Sequence, residues 1–233
     1  EELGRSNQAL NDFTAIASHD LGEPLRKIAT FGNFLKESVN NLSEKEVEYL
    51  DRMQNAAERM QQLLDDLLSY SKVQLHVKPF AATNLEDEVE DVLLDLEVRM
   101  AETGGKVEIL KLPTIDADRS QMSQLFLNLI GNALKFHREG VPPAITIDSS
   151  KTENNYWTIT VEDNGIGFKK KYLEKIFKPF ERLNGRSAYD GSGMGMAICQ
   201  KIVERHHGTI TAKSTPGEGS TFIITLPEKQ KSI

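Results

Sequence analysis

The sequence predicts a helical hairpin followed by a two-layer α/β sandwich, and three observations predict it. Apolar residues recur at helical spacing through roughly the first 75 residues. Beyond them, five stretches alternate in the strand period and are separated by Gly, Pro and Asn. Helical stretches interleave with those strands, as α/β layers require. The expected division is 1–77, helical, and 78–233, mixed.

Taken in order, Leu3, Leu10, Phe13 and Ala17 are spaced for the a/d seam of a coiled coil. After Pro24, the stripe continues through Leu25, Ile28, Phe31, Leu35 and Val39. Asn40-Asn41 breaks it, and Ser43-Glu44-Lys45-Glu46 is a capping-box start for a second helix. That helix carries Val47, Leu50, Met53, Ala57, Met60, Leu64 and Leu67 at three- and four-residue steps. Such a hairpin cannot cover its own core, so pairing of two copies into a dimeric four-helix bundle is the economical solution. Pro79 rules out simple helix continuation. A helix is expected over 84–103, stopped by Gly104-Gly105. Strands are expected in KVEILKL, AITIDSS, NYWTITVE, GTITAKS and STFIITL, and helices over 118–137 and about 194–206.

Composition excludes several classes. The 39% hydrophobic and 27% charged fractions of the 233 residues are those of an ordinary globular protein. A net charge of −7 argues against a nucleic-acid partner. Cys199 is the sole cysteine, which excludes an internal disulfide and suits a reducing, cytoplasmic setting. No apolar run is long enough to span a membrane. The chain opens in mid-helix with Glu1-Glu2-Leu3, so it is expected to be a fragment of something longer.

Three constellations carry chemistry. On the 118–137 helix, Gln121, Gln124, Asn128, Asn132 and Lys135 line up opposite Leu125, Phe126, Leu129, Ile130, Ala133 and Leu134. A merely solvated face would be filled with Lys, Glu and Arg, whereas asparagine is a poor helix former. Two asparagines at i and i+4, followed by a lysine, offer an amide oxygen for Mg²⁺ and a point charge for phosphate. In VEDNGIGF, Asn-Gly could turn a hairpin, but the charged, helix-like KKKYLEKIF follows it. Asp163 with Gly165 and Gly167 therefore reads as a carboxylate at a strand end, beside backbone that must approach a ligand closely. Finally, Gly191, Gly193 and Gly195 precede a helix, whose free N–H groups suit phosphate. The segment before them holds Phe177-Lys178-Pro179-Phe180, Arg182 and Arg186, a composition consistent with a mobile lid.

The order N-x₃-N-x₂-K, DxGxG, F-x₂-F, GxGxG resembles the Bergerat ATP-binding fold of sensor histidine kinases, type II topoisomerases, a major heat-shock chaperone and mismatch-repair ATPases. SHDLGEPL, residues 18–25, looks like the H-box that only the kinases place on a dimerising hairpin before that domain. The residues HDLGEPLRKI and RLNGRSAYDGSGMGMAICQKIVERHHG look most like kinases fed by PAS or phytochrome-type sensors. The resemblance covers essentially the whole chain, and it implies an upstream sensor domain missing from it, so the chain is expected to be the cytoplasmic part of a larger sensor, soluble or membrane-bound.

It implies a protein-histidine kinase using ATP and Mg²⁺, acting as a homodimer, and passing a phosphoryl group to an aspartate on a response-regulator receiver domain. His19 matches the phosphoacceptor and Asp20 the acid that orients its imidazole and serves as general base. Asn132 matches the Mg²⁺ ligand, with Asn128 and Lys135 near the phosphates and Phe136 by the adenine. Asp163 matches the acceptor of the adenine amino group, with Gly165 and Gly167 beside the base. Gly191, Gly193 and Gly195 match the loop around the phosphates, Thr221 the last element of the adenine pocket, and Arg182 a lid cation. Pro24 removes an N–H one turn after His19, so a bend is expected there. Glu23 stands where many members carry the Thr or Asn linked to phosphatase activity; a carboxylate cannot donate as those do, which counts against that activity. A nucleotide-sensing pseudokinase would be favoured if Asn132 or Asp163 were missing. An ATPase of the gyrase or chaperone kind would lack the hairpin histidine. His206-His207, next to Gly208, reads as a helix end whose dipole the histidines favour.

Overall fold

Two long helices build the N-terminal unit: α1 (Glu2–Ser38) and α2 (Glu44–Leu75). The computed structural model describes residues 2–39, 42–75, 79–152, 154–183 and 191–230, with the side chains of 2–19 and 74–75 excluded. The chain divides into two compact units, Glu1–Leu75 and His76–Ile233. Pro24 lies inside α1, which stays helical through it to Ser38. The start of α2 is the expected capping box. Ser43 N donates to Glu46 Oε2 at 2.7 Å, and Glu46 N donates to Ser43 Oγ at 3.4 Å. The bonds from Ser43 hold the Glu46 carboxyl below its usual range. Asn40 and Asn41 lie outside the described residues.

Within the hairpin, Ala57 and Val73 are buried. A Cβ on Gly32 would sit 3.0 Å from Gln54 Cγ, so the helices approach closely there. Much of the apolar stripe nevertheless faces outward, with Phe31 62% and Phe34 56% exposed. Ile28, Leu35, Met53 and Met60 are exposed as well. Lone exposed apolar residues are ordinary, but a row along one hairpin is not.

The C-terminal unit is a five-stranded sheet of order β2-β4-β5-β7-β6, using β2 (Lys106–Ile109), β4 (Ala144–Lys151), β5 (Tyr156–Asp163), β6 (Thr209–Thr215) and β7 (Gly219–Pro227). Only β2 and β4 run parallel; the other pairs are antiparallel. Helices α5 (Arg119–Lys135) and α6 (Gly195–Arg205) pack on the sheet and on each other, and α3 (Leu85–Asp95) packs on α5. Phe126, Leu129, Ile130, Ile147, Ile159, Ile202 and Ile224 are fully buried between the layers. Burial of this kind stabilises by roughly 1.5–3 kcal/mol per large side chain.

Several expectations change. The helix expected over 84–103 is two, because the backbone departs from α-helix at Leu96 before α4 (Glu97–Thr103). Neither proline nor glycine sits at that break, so composition does not mark it. Two short strands, β1 (Ala81–Asn84) and β3 (Thr114–Ala117), form an unforeseen antiparallel pair. KKKYLEKIF is a 3-10 turn, Lys170–Tyr172, followed by further turns closed by bonds such as Lys178 N to Lys175 O. His206 is fully buried, so its charged form does not serve the helix dipole. Its Nδ1 lies 2.8 Å from Ile202 O, and its Nε2 accepts from Asp118 N. A carbonyl only accepts and an amide only donates, so the ring is neutral with its proton on Nδ1.

Candidate functional site

The candidate site is built around α5. Its start is set by Asp118, whose side chain accepts from Gln121 N. Burial opposes the Asp118 charge, but the Ser120 hydroxyl and Arg205 hold the carboxyl below its usual range. Nine of the helix's residues are buried. Among them is Gln121, which the expected polar stripe had placed on the ligand face and which the structure puts inside. Gln124, Asn128, Asn132 and Lys135 remain half-buried on the other face, over three turns.

The glycine-rich loop lies along that face. Asn128 Nδ2 donates to Gly195 O at 3.3 Å, and Gln124 Nε2 donates to Asn128 Oδ1 at 3.5 Å. Gly191 adopts φ 128°, and a Cβ there would lie 2.7 Å from Lys135 Nζ. Only glycine accepts that conformation readily. Gly193 abuts Arg182, whose Cγ is 3.1 Å from the corresponding Cβ position. Met194 is fully buried and anchors the loop before α6, whose N-terminus has no side-chain cap. The start of α6 thus lies beside Asn128, and Gly191 of the same loop lies beside Lys135.

At its other end, α5 meets the DNGIG turn. Ile166 N donates to Phe136 O at 2.9 Å. A Cβ on Gly165 would fall 2.5 Å from the same carbonyl, so the close approach requires glycine. Lys135 Nζ sits 4.7 Å from the centroid of the Phe136 ring. Asp163 ends β5, and its Oδ1 accepts from Gly165 N at 2.8 Å and Ser220 N at 3.2 Å. Among the described residues, Oδ2 accepts no hydrogen bond. Burial pushes the Asp163 carboxyl up, with Glu162 adding to this, while the two amides pull the other way.

The structure therefore brings Asn128, Lys135, Phe136, Asp163, Gly165, Gly191 and Gly195 into one chain of contacts along α5. Asn132 lies on the same face, between Asn128 and Lys135, and its carbonyl accepts from Phe136 N. Gly167, at φ 58°, packs against Thr215 and Gly219 rather than facing α5. Thr221 is not part of the group. It pairs with Glu162, whereas Ser220 pairs with Asp163. Directly opposed residues share a sheet face, so Thr221 belongs to the face away from Asp163. Ser220 is the residue missed. Its parity with buried Phe222, Ile224 and Leu226 is visible in the strand period. In the N-terminal unit, Asp20 lies in α1 and is exposed, while the His19 side chain lies outside the described residues. Arg186 does also. The Glu23 carboxylate is 2.6 Å from Lys27 Nζ.

A divalent ion fits this donor set only in one way. Among the described residues there is no cluster of three or more His, Cys, Asp or Glu. The α5 face offers neutral amide oxygens, which suit a hard cation that takes most of its ligands from phosphate oxygens and water. No helix among the described residues is long and apolar enough to cross a membrane.

Two family models match the chain. Residues 9–75 match the His Kinase A (phospho-acceptor) domain, and residues 117–230 match the histidine kinase-, DNA gyrase B-, and HSP90-like ATPase. The phytochrome-like protein Cph1 of Synechocystis sp. is 39% identical over 226 residues, covering 97% of this chain and 30% of the relative. Cyanobacterial phytochrome B of Nostoc sp. is 41% identical, covering 97% of this chain and 30% of the relative. The chain thus spans under a third of the length of these curated relatives. Among solved structures, full-length ShkA in complex with AMPPNP superposes with TM-score 0.71 at 22% identity, covering 95% of this chain and 47% of that one. Histidine kinase ThkA in complex with the response regulator protein TrrA superposes with TM-score 0.63 at 24% identity, covering 97% of this chain and 65% of that one. These two likenesses concern the fold.

Proposed function

The chain belongs to the histidine kinases, and from that premise we propose that its C-terminal unit binds ATP along α5 and phosphorylates His19. The observation that carries the reading is the placement of Asp163 and Lys135 at one end of α5. The carboxylate lies beside close-packed glycine backbone, and the ammonium lies against Gly191. A purine amino group suits the first and a polyphosphate the second.

Asp163 would accept from the adenine amino group through Oδ2, since the turn amides occupy Oδ1. Phe136 would pack near the base. Lys135, Asn128 and the Gly191–Gly195 loop would hold the phosphates, with Arg182 at the edge of the lid. Asn132 would hold Mg²⁺, which when bound neutralises phosphate charge. On the hairpin, Asp20 would accept the proton of His19 Nδ1, leaving Nε2 free to attack the γ-phosphorus. The N–P bond forms as the bond to the β,γ-bridging oxygen breaks, and ADP departs. Positioning and charge neutralisation suffice for such a transfer. The phosphoryl group would then pass to a receiver-domain aspartate of a response regulator. ThkA is solved with such a partner, which supports that step. The exposed stripe of Phe31, Phe34 and Met53 supports a second copy of the hairpin as its cover.

The test is incubation with γ-labelled ATP and Mg²⁺. The wild type is expected to acquire an acid-labile, base-stable phosphate. His19→Gln is expected to bind ATP and acquire none; labelling that persists in that variant refutes the assignment.

A further inference from the structure

Arg138 lies three residues beyond the end of α5, outside every motif considered above. Its Nε donates to Asn164 O at 2.9 Å and its Nη1 to Gly217 O at 3.1 Å. Those two carbonyls belong to different turns. Asn164 follows Asp163 at the end of β5, and Gly217 lies in the turn between β6 and β7. The first turn supplies the Gly165 amide that holds Asp163 Oδ1, and the second leads directly into Ser220, at the start of β7, which supplies the other amide. Gly217 N also donates to Ile166 O at 2.8 Å, closing the bracket from the other side. A guanidinium is a rigid planar fork, so two carbonyls bound to it keep a set separation. If the turns part, Oδ1 loses a donor and the carboxylate is free to rotate.

We propose that Arg138 is a positioning residue for the nucleotide base, fixing the two turns that orient Asp163 and so setting the preference for adenine over guanine. The inference rests on the ATP-site reading above. Adenine presents an amino donor to Asp163, where guanine presents a carbonyl that the carboxylate repels. Discrimination of this kind is strong only while the acceptor is held in place. Arg138 touches neither base nor phosphate in this scheme.

The test compares the full chain with Arg138→Met, which donates nothing, and Arg138→Lys, which lacks the planar fork. Calorimetric titrations use Mg-ATP and Mg-tripolyphosphate, and competition against a fluorescent ATP analogue gives the ATP-over-GTP preference. Arg138→Met is expected to weaken Mg-ATP by about tenfold and narrow the ATP-over-GTP preference, with tripolyphosphate unchanged within about twofold. Arg138→Lys is expected to fall between the two. Wild-type ATP affinity and base preference in Arg138→Met overturn the proposal. Equal weakening of ATP and tripolyphosphate also overturns it, since a general structural role does that. Should Arg138→Met fail to fold, amide exchange in Arg138→Lys decides. Gly165 and Ser220 are expected to exchange faster than in the wild type while β4 does not, and unchanged exchange at both refutes the role. A wild-type chain that binds no Mg-ATP instead refutes the ATP-site reading itself.

Discussion

His206 Nε2 accepts the backbone N–H of Asp118 at 3.0 Å, joining the end of α6 to the start of α5. The same imidazole lies 4.7 Å from the Phe80 ring, and Arg205 reaches Asp118 Oδ2 at 2.9 Å. The two helices that flank the candidate phosphate region are thus tied at their far ends by one neutral ring and one ion pair.

Burial pushes the His206 pKa down to about 4 from the ordinary 6.5. The unfolded chain then binds the proton more tightly than the native one. Its contribution to stability is complete above pH 6.5 and is lost as pH falls toward 4, by about 3 kcal/mol in all. Urea unfolding between pH 7 and about 5 should show this slope, and His206→Gln should lack it.

Asp163 responds to acid with the opposite sign. Its pKa is raised by burial, so the native state holds that proton more tightly and gains stability from it as pH falls. Binding runs the other way, because a protonated carboxyl is a weaker acceptor. ATP affinity is expected to fall with acid at a higher pH than an ordinary carboxylate would give, and Asp163→Asn should bind at least about tenfold more weakly at neutral pH. Calorimetric titration at several pH values checks both.

Gly167 and Gly217 separate backbone strain from crowding. Both have positive φ, but a Cβ at Gly167 would meet Thr215 O at 2.1 Å, whereas at Gly217 nothing lies within 4 Å. Gly217→Ala is expected to cost about 1 kcal/mol and Gly167→Ala more than about 2 kcal/mol. Thermal unfolding of the two variants gives the comparison.

If two hairpins cover each other's apolar stripes, charge on that stripe must separate them. Phe31→Glu combined with Phe34→Glu is expected to raise the dimer dissociation constant by more than about 100-fold. Sedimentation equilibrium reads it directly, and an unchanged mass would place the interface elsewhere.

Local patterns were legible in the sequence where one element settles the outcome. The capping box at Ser43 and Glu46, the two faces of α5, and the departure of the DNGIG segment from a hairpin all rest on neighbours within a few residues. What needs distant partners was not legible. The β1 and β3 strands are four residues each and exist through each other, with Ala81 opposite Ala117. His206 is neutral because Asp118, far away in sequence, donates to it. The resemblance of GEGSTF points to Thr221, whereas the strand pairing sets Ser220 opposite Asp163. The inward parity of Phe222 and Ile224 would have pointed to Ser220. The Leu96 break has no marker in its own residue types.

β7 has a consequence for how this chain can vary. One parity of the strand supplies core residues Phe222, Ile224 and Leu226, and the same parity ends in Ser220, whose amide holds Asp163. Losing or gaining one residue between Gly219 and Phe222 would turn that amide away from Asp163 or expel the core side chains. The placement of Asp163 and the hydrophobic layer therefore share one reading frame along β7.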